Sequence, residues 1–321
     1  MSEKLRWGIL STGRIAGVFA KGLAASSTGE LVAVGSRTRK AAERFGGEYH
    51  VPKRYGSYEA LLADPDIQII YISLPNQMHA EWTLKALQAG KHVLCEKPFA
   101  QSLADVDAMF AAAHAAGRVL AEAFMYRHHP KLLKLKELVD SGAIGPVRLM
   151  RASFSFFLER PEDVRLNAEL GGGALWDVGC YPVSLARYLL GAPDRVTAWQ
   201  RAAPNGVDKT LVGNLYYGQA CLAQVDCSFE MPYRGDAEIV GEKGVITFTQ
   251  PFHADQPASV LTLHQGDQSE VIELANPERY WLEIEDIHDA ILNGKPPLIT
   301  PAETRGHVET ILKLYEAARS S

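Results

Sequence analysis

The run Leu5-Arg6-Trp7-Gly8-Ile9-Leu10-Ser11-Thr12-Gly13-Arg14-Ile15-Ala16 constrains this chain more than any other stretch. An apolar strand stops at a Ser-Thr-Gly turn and passes directly into a helix carrying Ile15, Val18, Phe19 and Leu23. A helix started there aims unpaired backbone N–H groups and the positive end of its dipole at whatever lies above the turn, which suits a pyrophosphate. Relative to G-x-G-x-x-G, Ser11 and Ala16 replace the first and third glycines, and Gly13 alone keeps the position where a side chain would obstruct a diphosphate. Ser11, Thr12, Gly13, Arg14 and Ile15 are therefore the expected dinucleotide-binding turn.

A second apolar strand, Leu31-Val32-Ala33-Val34-Gly35-Ser36, begins 21 positions after Leu10. In NAD sites such a strand ends in an Asp or Glu that binds the ribose 2′-OH. Here it ends in Ser36-Arg37-Thr38-Arg39-Lys40. A hydroxyl followed by cations suits a 2′-phosphate, and the planar guanidinium of Arg37 can fork onto that phosphate or stack on adenine. Ser36 and Arg37 thus predict NADP(H) as the preferred cofactor, with NAD(H) as the alternative. Arg39 and Lys40 serve equally well as the solvated start of a helix.

Strand and helix alternate through residue 123. Ile67–Ser73 reads as a buried strand, a helix from about Gln77 to Ala89 follows, and His92–Cys95 is the next strand. Ser102 and Asp105 have capping-box spacing before a helix that reaches Ala116. Arg118–Ala123 reads as a further strand. Repeated βα units specify a Rossmann-type parallel sheet with helices on both faces and ligands beyond the strand C-termini. After residue 123 the pattern changes. A helix near Pro130–Asp140, a long strand from Val147 to Phe157 and an irregular stretch, 158–173, lead into a helix from about Ala174 to Leu190. Strands follow at roughly 194–202, 209–217, 220–230, 234–240, 245–249, 258–264 and 269–274, with a hairpin turn at Gly241–Gly244. Thr300, Pro301 and Glu303 start the last helix as N-cap, N1 and N3. The expected architecture is an α/β chain of two domains. Residues 1–123 form the dinucleotide-binding domain, and 124–321 an α+β domain for substrate binding and dimerisation on a mainly antiparallel open sheet. Whether the last helix packs back on the first domain is left open. The open sheet face needs a cover, which a second copy of the chain would supply, so a homodimer or dimer of dimers is expected.

The formal net charge of −5 argues against general nucleic-acid binding. No apolar run approaches the roughly 18 residues that span a bilayer, and Met1-Ser2-Glu3-Lys4 leads straight into a strand without room for a signal peptide. Cys95, Cys180, Cys221 and Cys227 form no CxxC pair. Reduced thiols, a cytoplasmic location and no metal site are the expectations.

Two segments carry candidate chemistry. Cys95-Glu96-Lys97-Pro98 ends a parallel strand and can deliver an ammonium to the crevice. Gly171-Gly172-Gly173-Ala174-Leu175-Trp176-Asp177-Val178-Gly179-Cys180-Tyr181-Pro182 feeds three glycines into a helix, where the backbone can approach a ligand. Asp177 and Tyr181, four apart, share a face of that helix. Without further context Lys97 reads as a surface lysine, Tyr181 as a core tyrosine and Asp177 as a first-turn carboxylate favoured by the helix dipole. Together, and in this order behind the dinucleotide turn, the two segments resemble the glucose-fructose oxidoreductase / inositol dehydrogenase / rhizopine-catabolism family (Gfo/Idh/MocA). The family's E-K-P stands at Glu96-Lys97-Pro98, and its G-G-G-x-L-x-D-x-G-x-[HY] at Gly171–Tyr181. Tyr181 in place of His, together with Glu122–Arg127 and Gly179–Pro182, is similar to the branch of dimeric dihydrodiol dehydrogenases and NADP-dependent D-xylose dehydrogenases. Ser184 stands where inositol-type members carry Asp, which argues against an inositol-like substrate.

The resemblance implies hydride exchange between nicotinamide and a hydroxyl or carbonyl carbon of a sugar or cyclic diol. Lys97 and Tyr181 would handle the proton, with Asp177 holding the substrate or the lysine. Which of the two carries the proton stays open. A phenol titrates near a pKa of about 10 unaided, and a nearby ammonium lowers that. The resemblance also places Leu74, Pro75, Asn76 and Glu96 at the cofactor, with His79 close enough to reach it. Arg127, Arg165, Trp176 and Asp177 are candidate substrate contacts, and Arg160 borders the same cleft. Each arginine is as readily a solvated surface residue. Phe154, Phe156, Phe157 and Trp176 could wall the site or pack a core or subunit interface. Two other readings are a ketoreductase of a nucleotide-linked or 1,5-anhydro sugar, and a non-catalytic NADP(H)-binding sensor.

Overall fold

The computed structural model describes residues 4–252 and 259–320. The chain divides into two compact units, Met1–Met125 with Glu278–Arg305, and Tyr126–Pro277 with Gly306–Ser321. The sequence reading set the boundary at 123/124 and left open the placement of the last helix. The structure instead groups 278–305 with the first unit.

In the first unit, strands β1 (Leu5–Leu10), β2 (Gly29–Gly35), β3 (Lys53–Tyr55), β4 (Ile69–Ile72), β5 (His92–Glu96) and β6 (Leu120–Ala123) form a parallel sheet in the order β3-β2-β1-β4-β5-β6. Helices α1 (Arg14–Ala24), α2 (Arg39–Glu48), α3 (Tyr58–Leu62), α4 (His79–Gln88) and α5 (Leu103–Ala116) connect them. Chain direction across the sheet reverses at β1, whose Leu10 pairs with Gly35 of β2 on one side and Ile72 of β4 on the other. Such a switch point opens a crevice beyond the strand C-termini. The Ser102–Asp105 cap forms as expected, Asp105 N–H donating to Ser102 Oγ at 3.1 Å. The short β3 and α3 went unread in the sequence because three half-buried residues and five helical ones carry too little periodicity.

In the second unit, α6 (Pro130–Asp140), β7 (Val147–Ser155) and α7 (Cys180–Leu190) precede β8 (Arg195–Ala202), β9 (Asp208–Tyr217), β10 (Cys221–Ser228), β11 (Arg234–Gly241), β12 (Val245–Thr249), β13 (Ser259–Gln265) and β14 (Gln268–Leu274). The eight strands are ordered β14-β13-β12-β11-β7-β10-β9-β8, antiparallel except for the parallel pair β7–β10. Residue 258, the expected start of one strand, lies outside the described residues, as do residues 1–3 of the expected leaderless start. On one face Met150, Leu211, Leu215, Val225 and Ile239 are buried. The opposite face carries a side-chain ladder in register. Asn214 donates to Thr197, Gln224 to Asn214 and Arg151 to Gln224, and Arg151 pairs with Glu238. Beside the ladder, cross-strand partners Trp199 and Val212 are both exposed.

Helices α8 (Trp281–Asn293) and α9 (Pro301–Arg319) close the chain. At the expected start of α9, Thr300 and Glu303 form a capping box, each backbone N–H bonded to the other's side chain. Among the described residues no helix is long and apolar enough to cross a membrane.

A buried chain of hydrogen bonds explains why α8 belongs with the first unit. Trp7 Nε1–H donates to His288 Nε2 at 2.8 Å, so the proton of the neutral ring sits on Nδ1 and faces Thr28 Oγ1 at 2.7 Å. Thr28 and Ser26 in turn donate to the carboxylate of Glu285. Burial lowers the His288 pKa, more than Glu285 raises it. A base depressed in the folded state contributes stability above its unfolded pKa and loses it as pH falls. Stability is therefore expected to drop as pH falls below about 6.5, and His288→Phe should cost about 1–3 kcal/mol by stranding the Trp7 N–H while flattening that dependence. Urea unfolding of both proteins across this pH range checks both outcomes.

Candidate active site

At the C-terminal edge of the parallel sheet, the turn after β1 is built around Ser11. Its φ of 121° is a value that L residues rarely adopt, and it falls where the fingerprint carries its first glycine. Ser11 Oγ accepts from Gly13 N–H at 3.1 Å, a local bond that holds the turn. Gly13 caps α1 without any side-chain bond, and no acidic residue occupies the helix's first turn. A Cβ on Gly13 would meet only Ser11 Oγ, at 3.4 Å. Protein packing therefore does not demand glycine here, and the clear volume above the helix N-terminus fits a diphosphate. Arg14 is exposed, and Ile15 and Thr12 are half-buried.

At the end of β2, Ser36 is buried with its hydroxyl 3.4 Å from Thr12 Oγ1, while Arg37 is exposed. Thr38 caps α2, and Arg39 pairs with Glu43 one turn on, so Arg39 belongs to the helix surface. No acidic residue lies in the first turn of α2. These residues fit a 2′-phosphate.

After β4 and β5 the placement differs from the sequence expectation. Leu74 is buried and Pro75 and Asn76 half-buried beyond β4, and Lys97 is half-buried beyond β5. Glu96, however, turns inward. Its carboxylate accepts from Tyr71 Oη at 2.5 Å, Tyr280 Oη at 3.3 Å and the Lys97 backbone N–H at 3.1 Å. Burial raises its pKa against the opposing pull of Lys97. Glu96 thus anchors the strand end rather than offering its carboxylate to a ligand. His79 does not reach out either, because backbone carbonyls take both of its ring nitrogens.

In the second unit, the glycine segment does something other than expose backbone. A Cβ on Gly172 would lie 2.4 Å from Arg165 O, and one on Gly173 would lie 2.3 Å from Asp208 Oδ1. These glycines let the 158–173 stretch fold tightly against the start of the following helix. That helix opens as a π turn, Leu175–Gly179, before continuing as α7; such turns are rare and frequent at functional sites. Asp208, 2% exposed, accepts from Leu175 N–H and Tyr315 Oη, both at 2.7 Å. A buried carboxylate at a helix N-terminus favours the dipole. Nothing in the sequence near residue 208 flagged it, since its partners stand 33 and 107 residues away.

Asp177 is held by Arg165, Nε to Oδ2 at 2.6 Å, and Arg165 Nη1 also meets Asp163 Oδ1 at 3.3 Å. The Asp177 charge raises the Arg165 pKa further. Tyr181, 8% exposed, lies among the rings of Tyr126, Phe154 and Phe252, with centroids 5.3–5.4 Å away. Two expected substrate contacts lie in the interior, packed on other rings. Arg127 is buried with its guanidinium 3.8 Å over the Tyr188 ring, and Trp176 is buried with its ring 5.7 Å from Tyr315. Phe154 is core, Phe156 packs on Phe229, and Phe157 and Arg160 are exposed. All four cysteines are free thiols.

Comparison with known proteins matches residues 5–124 to the oxidoreductase family model with an NAD-binding Rossmann fold, and residues 132–247 to the GFO/IDH/MocA C-terminal domain. The chain is 37% identical over 322 residues to D-xylose 1-dehydrogenase (NADP(+)) 2 of Haloferax volcanii, covering 98% of each. It is 33% identical to trans-1,2-dihydrobenzene-1,2-diol dehydrogenase of Xenopus laevis, covering 93% of each. Among solved structures, KijD10, a 3-ketoreductase from Actinomadura kijaniata in complex with NADP and TDP-benzene, superimposes with a TM-score of 0.91 at 30% identity, covering 98% of each chain.

If Gly173 serves packing as described, Gly173→Ala should lower stability by about 2 kcal/mol or more, through both its φ of 143° and the clash with Asp208. Denaturant unfolding measures this, and wild-type stability in the variant would refute the assignment.

Proposed function

The chain belongs to the GFO/IDH/MocA oxidoreductase family, and from that premise we propose that it is an NADP-dependent dehydrogenase or reductase of free sugars or cyclic diols. One observation carries this reading. The C-terminal edge of the parallel sheet bears a cleared helix N-terminus, a β2 end without a carboxylate, and Lys97. Residues 11–15 hold the diphosphate through backbone N–H groups, and Ser36 and Arg37 bind the 2′-phosphate. Leu74, Pro75 and Asn76 flank the nicotinamide. Bound nicotinamide dinucleotide supplies hydride chemistry at the substrate carbon. Lys97 hydrogen-bonds the reacting oxygen, and Tyr181 exchanges the hydroxyl proton. Asp177, oriented by Arg165, binds a neighbouring substrate hydroxyl.

The names of the xylose and dihydrodiol relatives support a neutral polyol substrate. Arg165 does so independently. With Asp177 and Asp163 both against it, this guanidinium has no net charge to offer a nucleoside diphosphate, which disfavours a nucleotide-linked sugar. The partner we propose is a second copy of the chain. It would sit on the ladder face of the eight-stranded sheet, where Trp199 and Val212 form an exposed apolar pair.

A panel of aldoses, cyclic diols and their carbonyl products, followed by nicotinamide absorbance, tests the reading. Turnover of at least one uncharged polyol is expected, with Tyr181→Phe slowing kcat by about 100-fold or more at unchanged NADP(H) affinity. Undiminished turnover in Tyr181→Phe would reject its role, and turnover confined to nucleotide-linked sugars would reject the substrate class. The same preparation should sediment as a dimer or a dimer of dimers; a single-copy species would refute the proposed partner.

A further inference from the structure

His79 is 1% exposed, and each of its ring nitrogens lies 2.8 Å from a main-chain carbonyl, Nδ1 from Pro98 O and Nε2 from Leu74 O. A neutral imidazole has one N–H and one lone pair. It satisfies one of these carbonyls and turns a lone pair toward the other. Only the imidazolium donates to both. The two carbonyls belong to the two loops that leave the sheet beside the switch point. Leu74 opens the Leu74-Pro75-Asn76 segment after β4, and Pro98 follows Lys97 after β5.

We propose that His79 is a positioning residue whose ring, lodged between Leu74 O and Pro98 O, ties the β4 and β5 loops together, through one carbonyl when neutral and through both when protonated, and so fixes the backbone from which Lys97 projects. This rests on the reading of Lys97 as the residue that meets the substrate oxygen. Burial opposes the charge on His79 and lowers its pKa, and the Lys97 ammonium acts in the same direction. The two carbonyls and the Glu122 carboxylate favour the charge. On its own helix, Glu81 and Lys85 pair with each other at 2.5 Å. The grip is complete while the proton is bound and half released when it leaves, so it tightens as pH falls through the His79 pKa.

The geometry also explains why this histidine opens α4. Leu74 O lies just before the 3₁₀ turn at Asn76–Met78 that leads into α4, and the His79 side chain folds back over that turn to meet it. The opposite nitrogen then reaches the neighbouring loop. No other side chain has two N–H donors at opposite ends of so compact a rigid ring.

Hydrogen exchange of the full chain, compared with His79→Ala, tests the proposal without needing a substrate. Peptides spanning 74–78 and 97–101 should lose protection by about tenfold or more in the variant. Exchange at 11–15 and the affinity for 2′,5′-ADP should be unchanged, and added imidazole should restore protection. In the wild type, protection factors of the two loops should rise on going from above to below the usual imidazole range, a rise the variant lacks. Equal protection in the two proteins, loss spread across the whole sheet, or pH-independent protection in the wild type would each overturn the assignment. With an active substrate in hand, His79→Ala should lower kcat about 10-fold to 100-fold with little change in the KM for NADP(H). Unchanged kcat would remove the link to Lys97. Absence of polyol turnover would count against the proposed function and leave the exchange result standing.

Discussion

The first unit depends on one meeting of elements, in which α1 starts directly beyond the C-terminal end of β1, beside β4, and only the small Ser11 hydroxyl lies against Gly13. Fixing a strand, a tight turn and a helix in that relation leaves the backbone dipoles of the helix pointing at open space. The strained Ser11 is tolerated because its own hydroxyl holds the turn through Gly13 N–H. Everything else on that edge is arranged relative to it. Ser36 stands one strand away on one side, Leu74 one strand away on the other, and Lys97 one strand farther.

Buried polar groups supply the precision that apolar packing alone does not. Glu96, His79 and Asp208 each use a nearly inaccessible polar side chain to fix a segment that carries candidate chemistry. Glu96 anchors the end of β5 through two tyrosines, His79 joins two loops, and Asp208 secures the start of the helix bearing Asp177 and Tyr181. Burying such groups is costly unless their bonds are made. Each removal is therefore expected to be felt as misplacement of a neighbouring candidate catalytic group as well as lost stability.

Much of this was legible in the sequence, because the deciding signals are local. The strand-turn-helix at 5–16, the βα alternation, the capping boxes at Ser102 and Thr300, and the basic end of β2 each depend on neighbouring residues. The rest was not legible, because it depends on long-range packing. The resemblance places Glu96 at the cofactor and His79 within reach of it, yet their side chains bond Tyr71, Tyr280, Leu74 and Pro98. Gly172 and Gly173 suggested ligand approach and instead make room for Arg165 O and Asp208. Arg127 and Trp176 carry the right chemistry for a substrate contact, but both are buried, packed against Tyr188 and Tyr315 through contacts that lie far away in sequence. α8 joins the first unit through His288, a residue with no local signal for its partner Trp7, 281 positions away.

Under the proposed function, the edge of the parallel sheet selects a 2′-phosphorylated dinucleotide through Ser36 and Arg37. Calorimetric titration of the purified protein with NADPH and with NADH tests it directly. NADPH should bind more tightly by about tenfold or more, with the difference abolished by replacing Arg37 with Ala. Equal affinities, or a preference for NADH, would contradict it.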